Sequence, residues 1–238
     1  MSNYDTSFEL NEDKTKIKTE GKWMSLGTIN PRKLQLSFLV LDFNKQKETT
    51  ALLYSIKQNI KIENYEIILY SNGGNQEYIY DLYKNNLIDK LILSKLNYGC
   101  GIATHELFDN AKAEYCMYIQ NDHILYRSFE QQELDDLKSI LNNGYTSVDL
   151  SGGAGHNDKF SERAYIIKTN EYKQLPIKGY GGPGPYEHEY FWSEAGTSYS
   201  FWDKGLKVYH NWPMLFGNTG YRSIREDLNG NIVENILI

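Results

Sequence analysis

The sequence contains no apolar run that approaches the roughly 20 residues needed to span a bilayer. Its N-terminal stretch, MSNYDTSFELNEDKTK, is polar and has no signal-peptide core. Cysteine is scarce: Cys100 and Cys116 carry no metal-ligand spacing, so we expect reduced thiols that pack in the core. A basic excess is also missing, since the formal net charge is −6. These absences predict a cytoplasmic protein with no transmembrane segment, no nucleic-acid partner and no attraction to anionic membranes.

The composition is that of a globular chain. It has 238 residues, of which 40 % are hydrophobic and 24 % are charged, enough to bury a substantial core. Residues 1–34 are charge-rich and weakly patterned, and we interpret them as an N-terminal extension. Residues 35–238 are predicted to form one domain.

Strand-like and helix-like segments alternate from about residue 36 to residue 141. Short apolar runs predict strands at Leu36 to Leu41, Glu66 to Tyr70, Lys90 to Leu93 and Tyr115 to Ile119. Helical spacing joins them, and one more helix follows, with Phe129 as its first apolar residue. This order predicts an α/β fold with a mainly parallel central sheet and helices on both faces.

The pattern changes after about residue 145. Glycine-rich breakers flank a predicted strand from Ala164 to Lys168. Residues 187–204 are predicted to be largely helical, and a last strand, Leu206 to Tyr209, runs into His210. This region favours a mixed arrangement rather than a continued strand–helix alternation.

The segment from Asn97 to His123 carries the strongest functional pattern. Asn97, Gly99 and Gly101 are turn residues that precede a helix, and the buried strand after it ends in Gln120-Asn121-Asp122-His123. Ligands of open parallel sheets bind beyond the carboxyl ends of the strands, so these polar residues are candidates for a binding site. A solvated turn after a strand is the simpler alternative.

Four segments, in order over roughly residues 35 to 212, resemble the family 2 glycosyltransferases, whose fold is the nucleotide-sugar-binding type called GT-A. They are SFLVLDFN, EIILYSNGG, NYGCGIATHELFDNAKAEYCMYIQND and PYEHEYFWSEAGTSYSFWDKGLKV. The third is similar, without gaps, to the family segment that ends in its D-x-D motif. The resemblance implies a nucleotide-sugar-binding half at 35–125 and an acceptor half at 126–238.

The resemblance also implies a set of site residues. Nucleotide-sugar binding would fall to Leu41, Asp42, Asn44, Asn72, Asn97, Gly99, Gly101 and Asn121. A divalent metal, Mn²⁺ or Mg²⁺, would be held by Asp122, His123 and His210, although a lone histidine such as His210 is more often structural. The general base would be Glu194 or Glu187, with Glu189 as an acidic neighbour. Each of these three acids can equally be a solvated residue on a helix face.

The activity implied is inverting transfer of a sugar from a nucleotide-sugar donor to a glycan or another hydroxyl acceptor, as in polysaccharide biosynthesis. Gln120 stands where the family's D-x-D motif has its first acid. This departure favours, as an alternative, a non-catalytic relative that binds nucleotide sugar or glycan. No glycine follows the first predicted strand, which argues against a nucleotidyltransferase and against a Rossmann dehydrogenase.

Overall fold

The computed structural model describes residues 33–73, 76–152, 163–175 and 204–218, together with the backbone of five short strands outside these ranges. Residues 176–203, which contain the predicted helix with Glu187 and Glu194, lie outside the described residues. Within the described part of the chain, no helix is long and apolar enough to cross a membrane.

Sixteen strands and five helices are described, most of them short. The strands are β1 (Glu9–Leu10), β2 (Lys16–Thr19), β3 (Lys22–Ser25), β4 (Leu36–Asp42), β5 (Ile60–Lys61), β6 (Tyr65–Asn72), β7 (Lys90–Ser94), β8 (Tyr115–Gln120), β9 (His123–Leu125), β10 (Phe129–Glu130), β11 (Ser147–Asp149), β12 (Ala164–Lys168), β13 (Val208–Tyr209), β14 (Phe216–Asn218), β15 (Arg225–Glu226) and β16 (Ile232–Val233). The helices are α1 (Gln46–Asn59), α2 (Glu77–Lys84), α3 (Gly99–Asn110), α4 (Gln131–Asn142) and α5 (Thr169–Lys173).

The described residues contain a seven-stranded sheet in the order β13-β11-β12-β8-β4-β6-β7. β12 runs antiparallel to β11 and to β8, and every other neighbouring pair is parallel. Six strands therefore point the same way and end at one edge. The predicted α/β class with a mainly parallel sheet is confirmed.

The sheet is covered on both faces because alternate side chains of its central strands enter two separate cores. Phe38 and Val40 of β4 pack in one core with apolar residues of α1, α2 and α4. Leu39 and Leu41 enter the other core with α3 and with Tyr172 of α5. Burial of each such side chain contributes about 1.5–3 kcal/mol, which explains why β4 is apolar from Phe38 to Leu41.

Three local predictions are corrected by the structure. Gly101 was predicted to lie in a loop, but α3 begins at Gly99, so Gly101 lies in its first turn. Phe129 belongs to strand β10, which pairs with β5, and α4 begins after a capping box made by Glu130 and Glu133. The second predicted strand ended at Tyr70, but β6 continues to Asn72, because pairing with β7 extends it.

The described residues also form small sheets apart from the central one. The chain leaving β8 forms β9, which pairs antiparallel with β14 and sets His123 opposite Asn218. The backbone N–H of Tyr126 also donates to the carbonyl of Leu215. These pairings fix the path of the chain directly after Asp122. In the segment predicted to be an extension, β1, β2 and β3 form an antiparallel sheet of their own.

Candidate functional site

Polar side chains collect where the parallel strands end, and we call this set the polar edge. It comprises Asp42 of β4, Asn72 of β6, Asn121, Asp122 and His123 after β8, Asp149 of β11 and His210 after β13. The register sets Asp42 beside Ser71 and Leu41 beside Gln120, so the strand ends are level. The topology thus brings together, at one edge, residues that the sequence analysis assigned to nucleotide and metal binding.

Asp42 is the most deeply buried acid of the polar edge, with no exposed surface. Its Oδ1 accepts hydrogen bonds from the Thr49 hydroxyl, at 2.5 Å, and from the Asn121 amide, at 3.1 Å. Its Oδ2 accepts from the Tyr78 hydroxyl at 2.6 Å. Burial, and then the bond to Asp42, raise the pKa of Tyr78, which keeps that hydroxyl protonated as a donor. Asp42 thus connects β4 with α1, α2 and the segment after β8. Its assignment to nucleotide binding stays a prediction.

Asn72 and Asn97 hold the loop between β7 and α3 against the end of β6. The Asn72 amide donates to Oδ1 of Asn97 at 2.9 Å, and the backbone N–H of Tyr98 donates to Asn72 Oδ1 at 3.0 Å. Asn97 Oδ1 also accepts from the backbone N–H of Gly99 at 2.9 Å. Gly99 has φ +81°, a left-handed conformation that favours glycine. Both predicted asparagines therefore shape this loop.

Asp122 and His123 form a buried pair in which Nδ1 of His123 lies 2.7 Å from Oδ1 of Asp122. The ammonium group of Lys45 lies 3.9 Å from the other oxygen, Asp122 Oδ2. Lys45 directly precedes α1, so its side chain crosses from the end of β4 to the end of β8. Lys45 is not among the site residues predicted from the sequence. The signal that could have identified it is its place just after the polar turn that follows β4.

His210 is supported by an acid that the sequence analysis also missed. Its Nδ1 lies 3.5 Å from Oδ2 of Asp149. The same carboxylate is fixed by the backbone N–H and hydroxyl of Ser151, at 2.8 and 2.6 Å from Oδ1. The His210 Nε2 atom is buried and finds no hydrogen-bond partner among the described residues. A histidine oriented by a carboxylate, with its second nitrogen available, is the usual arrangement of a metal-ligating imidazole.

The donor chemistry of the polar edge fits the predicted metal in part. Carboxylate oxygen and imidazole nitrogen suit Mn²⁺ better than Mg²⁺, which prefers oxygen alone. Within the described ranges, however, no group of three or more His, Cys, Asp or Glu side chains lies close enough to hold a metal ion. Asp122 and His123 are adjacent, whereas His210 belongs to a separate pair with Asp149.

The remaining predicted residues lie around this edge. Leu41 is buried in the core beneath it, and Asn44 is exposed in the turn after β4 with φ +53°. Gly99 and Gly101 are buried at the start of α3. Glu187 and Glu194 lie outside the described residues.

Comparisons with known proteins identify the fold. No protein-family model and no curated protein matches the chain. Among solved structures, S. aureus TarS superimposes with a TM-score of 0.53 at 15% identity, over 78% of this chain and 37% of that chain. The mannosyltransferase PcManGT from Pyrobaculum calidifontis, in complex with GDP-Man and Mn²⁺, superimposes with a TM-score of 0.56 at 10% identity, over 80% and 58%. This chain has a GT-A-type glycosyltransferase fold.

A third comparison agrees with the first two. S. aureus TarS 1–349 in complex with UDP-GlcNAc gives a TM-score of 0.53 at 14% identity, over 77% of this chain and 58% of that chain. The chain thus spans between 37% and 58% of the length of these three structures. Likeness at such low identity establishes the fold and leaves the activity to be argued from the site.

Proposed function

We propose that this protein is an inverting glycosyltransferase that moves a sugar from a nucleotide-sugar donor to a glycan or another hydroxyl acceptor. The observation that carries the proposal is the polar edge itself. Amides, carboxylates and imidazoles converge at the carboxyl ends of parallel strands in a GT-A-type sheet, which is where open α/β sheets bind their ligands. These side chains come from both proposed halves, 35–125 and 126–238.

Two neighbours support a nucleotide sugar as donor. One TarS structure is a complex with UDP-GlcNAc, and the PcManGT structure is a complex with GDP-Man and Mn²⁺. In this chain, the exposed turn at Asn44 and the loop held by Asn72 and Asn97 are proposed to contact the base and ribose. The buried start of α3 at Gly99 and Gly101 lets the backbone approach the nucleotide closely, because glycine has no Cβ.

We propose Asp122, His123 and His210 as the residues that would hold Mn²⁺, or less favourably Mg²⁺. When bound, the ion would neutralise charge that develops on the diphosphate leaving group. Asp122 would supply a buried carboxylate oxygen. His210 would supply Nε2, with Asp149 orienting its ring.

Glu194 is proposed as the general base, with Glu187 as the alternative. The base removes the proton of the acceptor hydroxyl while that oxygen forms a bond to the anomeric carbon. The bond from the anomeric carbon to the diphosphate breaks on the opposite face, which inverts the configuration. A carboxylate suits this step because the transition state has oxocarbenium character.

A panel of UDP-, GDP- and dTDP-sugars, each with Mn²⁺ and with EDTA, tests the proposal. A true donor should raise the thermal midpoint, because a ligand that binds the folded state stabilises it by mass action. Release of nucleoside diphosphate should follow when an acceptor is added. Absence of any stabilisation across the panel would contradict nucleotide-sugar binding altogether.

Variants then separate the two roles. Asp122→Asn should reduce Mn²⁺-dependent donor binding at least about tenfold, since a charge-assisted contact contributes about 1.5–3 kcal/mol. Glu194→Gln should lower turnover by about two to four powers of ten while donor affinity is kept. Glu187→Gln is the matched control. Unchanged turnover in Glu194→Gln, with a loss in Glu187→Gln, would transfer the role to Glu187.

One observation favours a second candidate, a non-catalytic protein that binds nucleotide sugar or glycan. Gln120 leaves one acid in the motif after β8, and the Lys45 ammonium is the cation beside it. This candidate predicts stabilisation by a nucleotide sugar without release of nucleoside diphosphate under any metal or acceptor condition.

A further inference from the structure

Lys45 places a positive charge at the opening of the polar edge. Its Nζ is 3.9 Å from Oδ2 of Asp122, and its side chain is 41% exposed whereas that of Asp122 is 5% exposed. The ammonium group therefore has a buried carboxylate on one side and solvent on the other. The chain turns at Asn44, whose φ is +53°, and Lys45 follows as the last residue before α1.

The charges around Asp122 disfavour a strong divalent site. Hard divalent cations gain affinity from each added carboxylate ligand. Here Gln120 contributes no charge, and Oδ1 of Asp122 is already engaged by His123 at 2.7 Å. An ion approaching Oδ2 would also meet the Lys45 ammonium, whose like charge repels it.

The same ammonium suits a phosphate. Lysine is a compact, strongly hydrated point charge with three donors on a flexible stem, and it binds phosphate groups as such. The ammonium group lies 3.9 Å from Asp122 Oδ2, beyond hydrogen-bond distance, and its side chain is 41% exposed, while His123 keeps its contact with Asp122 Oδ1. Lys45 can therefore leave Asp122 for a more highly charged anion.

We propose that Lys45 binds the diphosphate of the donor and competes with the divalent cation for Asp122. The inference rests on the proposed function, since it assigns a residue to the donor of that same site. It has two consequences. Nucleoside diphosphate binds without metal, and the metal affinity of the nucleotide-free protein is held low by Lys45.

Calorimetric titration of the full chain in EDTA tests the first consequence. The ligands are UDP or GDP, whichever binds more tightly, and the nucleoside of that same nucleotide. Lys45→Gln should weaken diphosphate binding about tenfold or more, as expected for loss of one charge-assisted contact. Binding of the nucleoside, which has no phosphate, should change less than about twofold, since it makes no contact with the ammonium. Lys47→Gln is the matched control, because Lys47 is an exposed lysine in the first turn of the same helix.

Titration of the nucleotide-free protein with Mn²⁺, followed by electron paramagnetic resonance, tests the second consequence without any measure of activity. Lys45→Gln should bind Mn²⁺ several-fold more tightly than the wild-type chain, and Lys47→Gln should not. Lys45→Arg keeps the charge and should retain diphosphate binding. Retention would show that the loss in Lys45→Gln comes from the missing charge and not from misfolding caused by substitution at this position.

The outcomes separate the two proposals. Equal diphosphate affinity in Lys45→Gln and the wild-type chain overturns the role of Lys45 and leaves the proposed function intact. Equal losses for nucleoside and diphosphate also overturn it, because the effect then does not depend on phosphate. A wild-type chain that binds nucleoside diphosphate with Mn²⁺ but not in EDTA overturns the role of Lys45 alone. A wild-type chain that binds none under either condition overturns the proposed function, and the role of Lys45 with it.

Discussion

At the scale of single residues, Gly73 is where the end of β6 meets the loop before α3. A Cβ at this position would lie 2.8 Å from the backbone N of Asn97 and 2.8 Å from the backbone C of Leu96. Its φ is +85°, which L side chains rarely adopt. The same close approach lets Asn72 and Asn97 bond to each other, so the shape of the loop depends on the missing side chain of Gly73.

Gly73→Ala should therefore lower the free energy of unfolding by about 1–3 kcal/mol, measured by urea denaturation. Gly144→Ala is the control, since Gly144 also has positive φ, at +96°, but has nothing within 4 Å of the added Cβ. Gly144→Ala therefore has the backbone strain of positive φ without the steric crowding. Equal losses of unfolding free energy in the two variants would mean that the crowding at Gly73 does not destabilise the fold.

At the scale of secondary-structure elements, Asp42 connects β4 with α1, α2 and the end of β8. Its partners are Thr49 on α1, Tyr78 on α2 and Asn121 after β8. A buried carboxylate is costly unless each oxygen is hydrogen-bonded, and here three donors meet that need. The position of Asn121, and with it the start of the polar motif, follows from this connection.

Tyr78→Phe should lower the free energy of unfolding by about 1–3 kcal/mol, because Asp42 Oδ2 loses its donor while remaining buried. Tyr80→Phe is the control on the same helix, since Tyr80 is 40% exposed. Chemical denaturation of both variants measures the difference. A loss in Tyr78→Phe no larger than that in Tyr80→Phe would show that another group satisfies Asp42.

At the scale of the whole molecule, the core contains ionisable groups that fold in their neutral forms. Burial raises the pKa of Tyr70 from 10.0 to about 12. Burial also raises the pKa of the Cys116 thiol from 9.0 to about 12. Each group keeps its proton in the folded chain over a pH range where the unfolded chain loses it. Unfolding therefore releases protons in that range, and the folded state becomes less stable as the pH rises.

Tyr70 should thus make no contribution to the pH dependence of the free energy of unfolding below pH 10. Between pH 10 and about 12, this group should lower the free energy of unfolding by about 1.4 kcal/mol per pH unit. Tyr70→Phe should reduce that slope, whereas Tyr54→Phe should not, because Tyr54 is 46% exposed. Urea denaturation at a series of pH values measures both slopes. An identical slope in Tyr70→Phe and the wild-type chain would contradict the prediction.

The sequence by itself determined the elements whose signal is local. The apolar residues of β4 and the helical spacing of α3 depend on neighbours in the chain, so the α/β class was predictable, as was the placement of Asp42, Asn72 and Asp122 near the carboxyl ends of strands. Segment ends were less so, because pairing across the sheet extended β6 to Asn72 and placed Phe129 in β10. The function implied by the resemblance to family 2 glycosyltransferases stays a proposal.

Only the tertiary structure decided which polar side chains meet. Lys45 contacts Asp122 across 77 residues of sequence, and His210 lies beside Asp149 because β13 pairs with β11 at the edge of the sheet. No local pattern encodes such pairs, since they follow from strand order, direction and register. The sequence alone was thus sufficient to predict which polar residues belong to the site. Their partners and the charges beside them depend on how distant strands assemble.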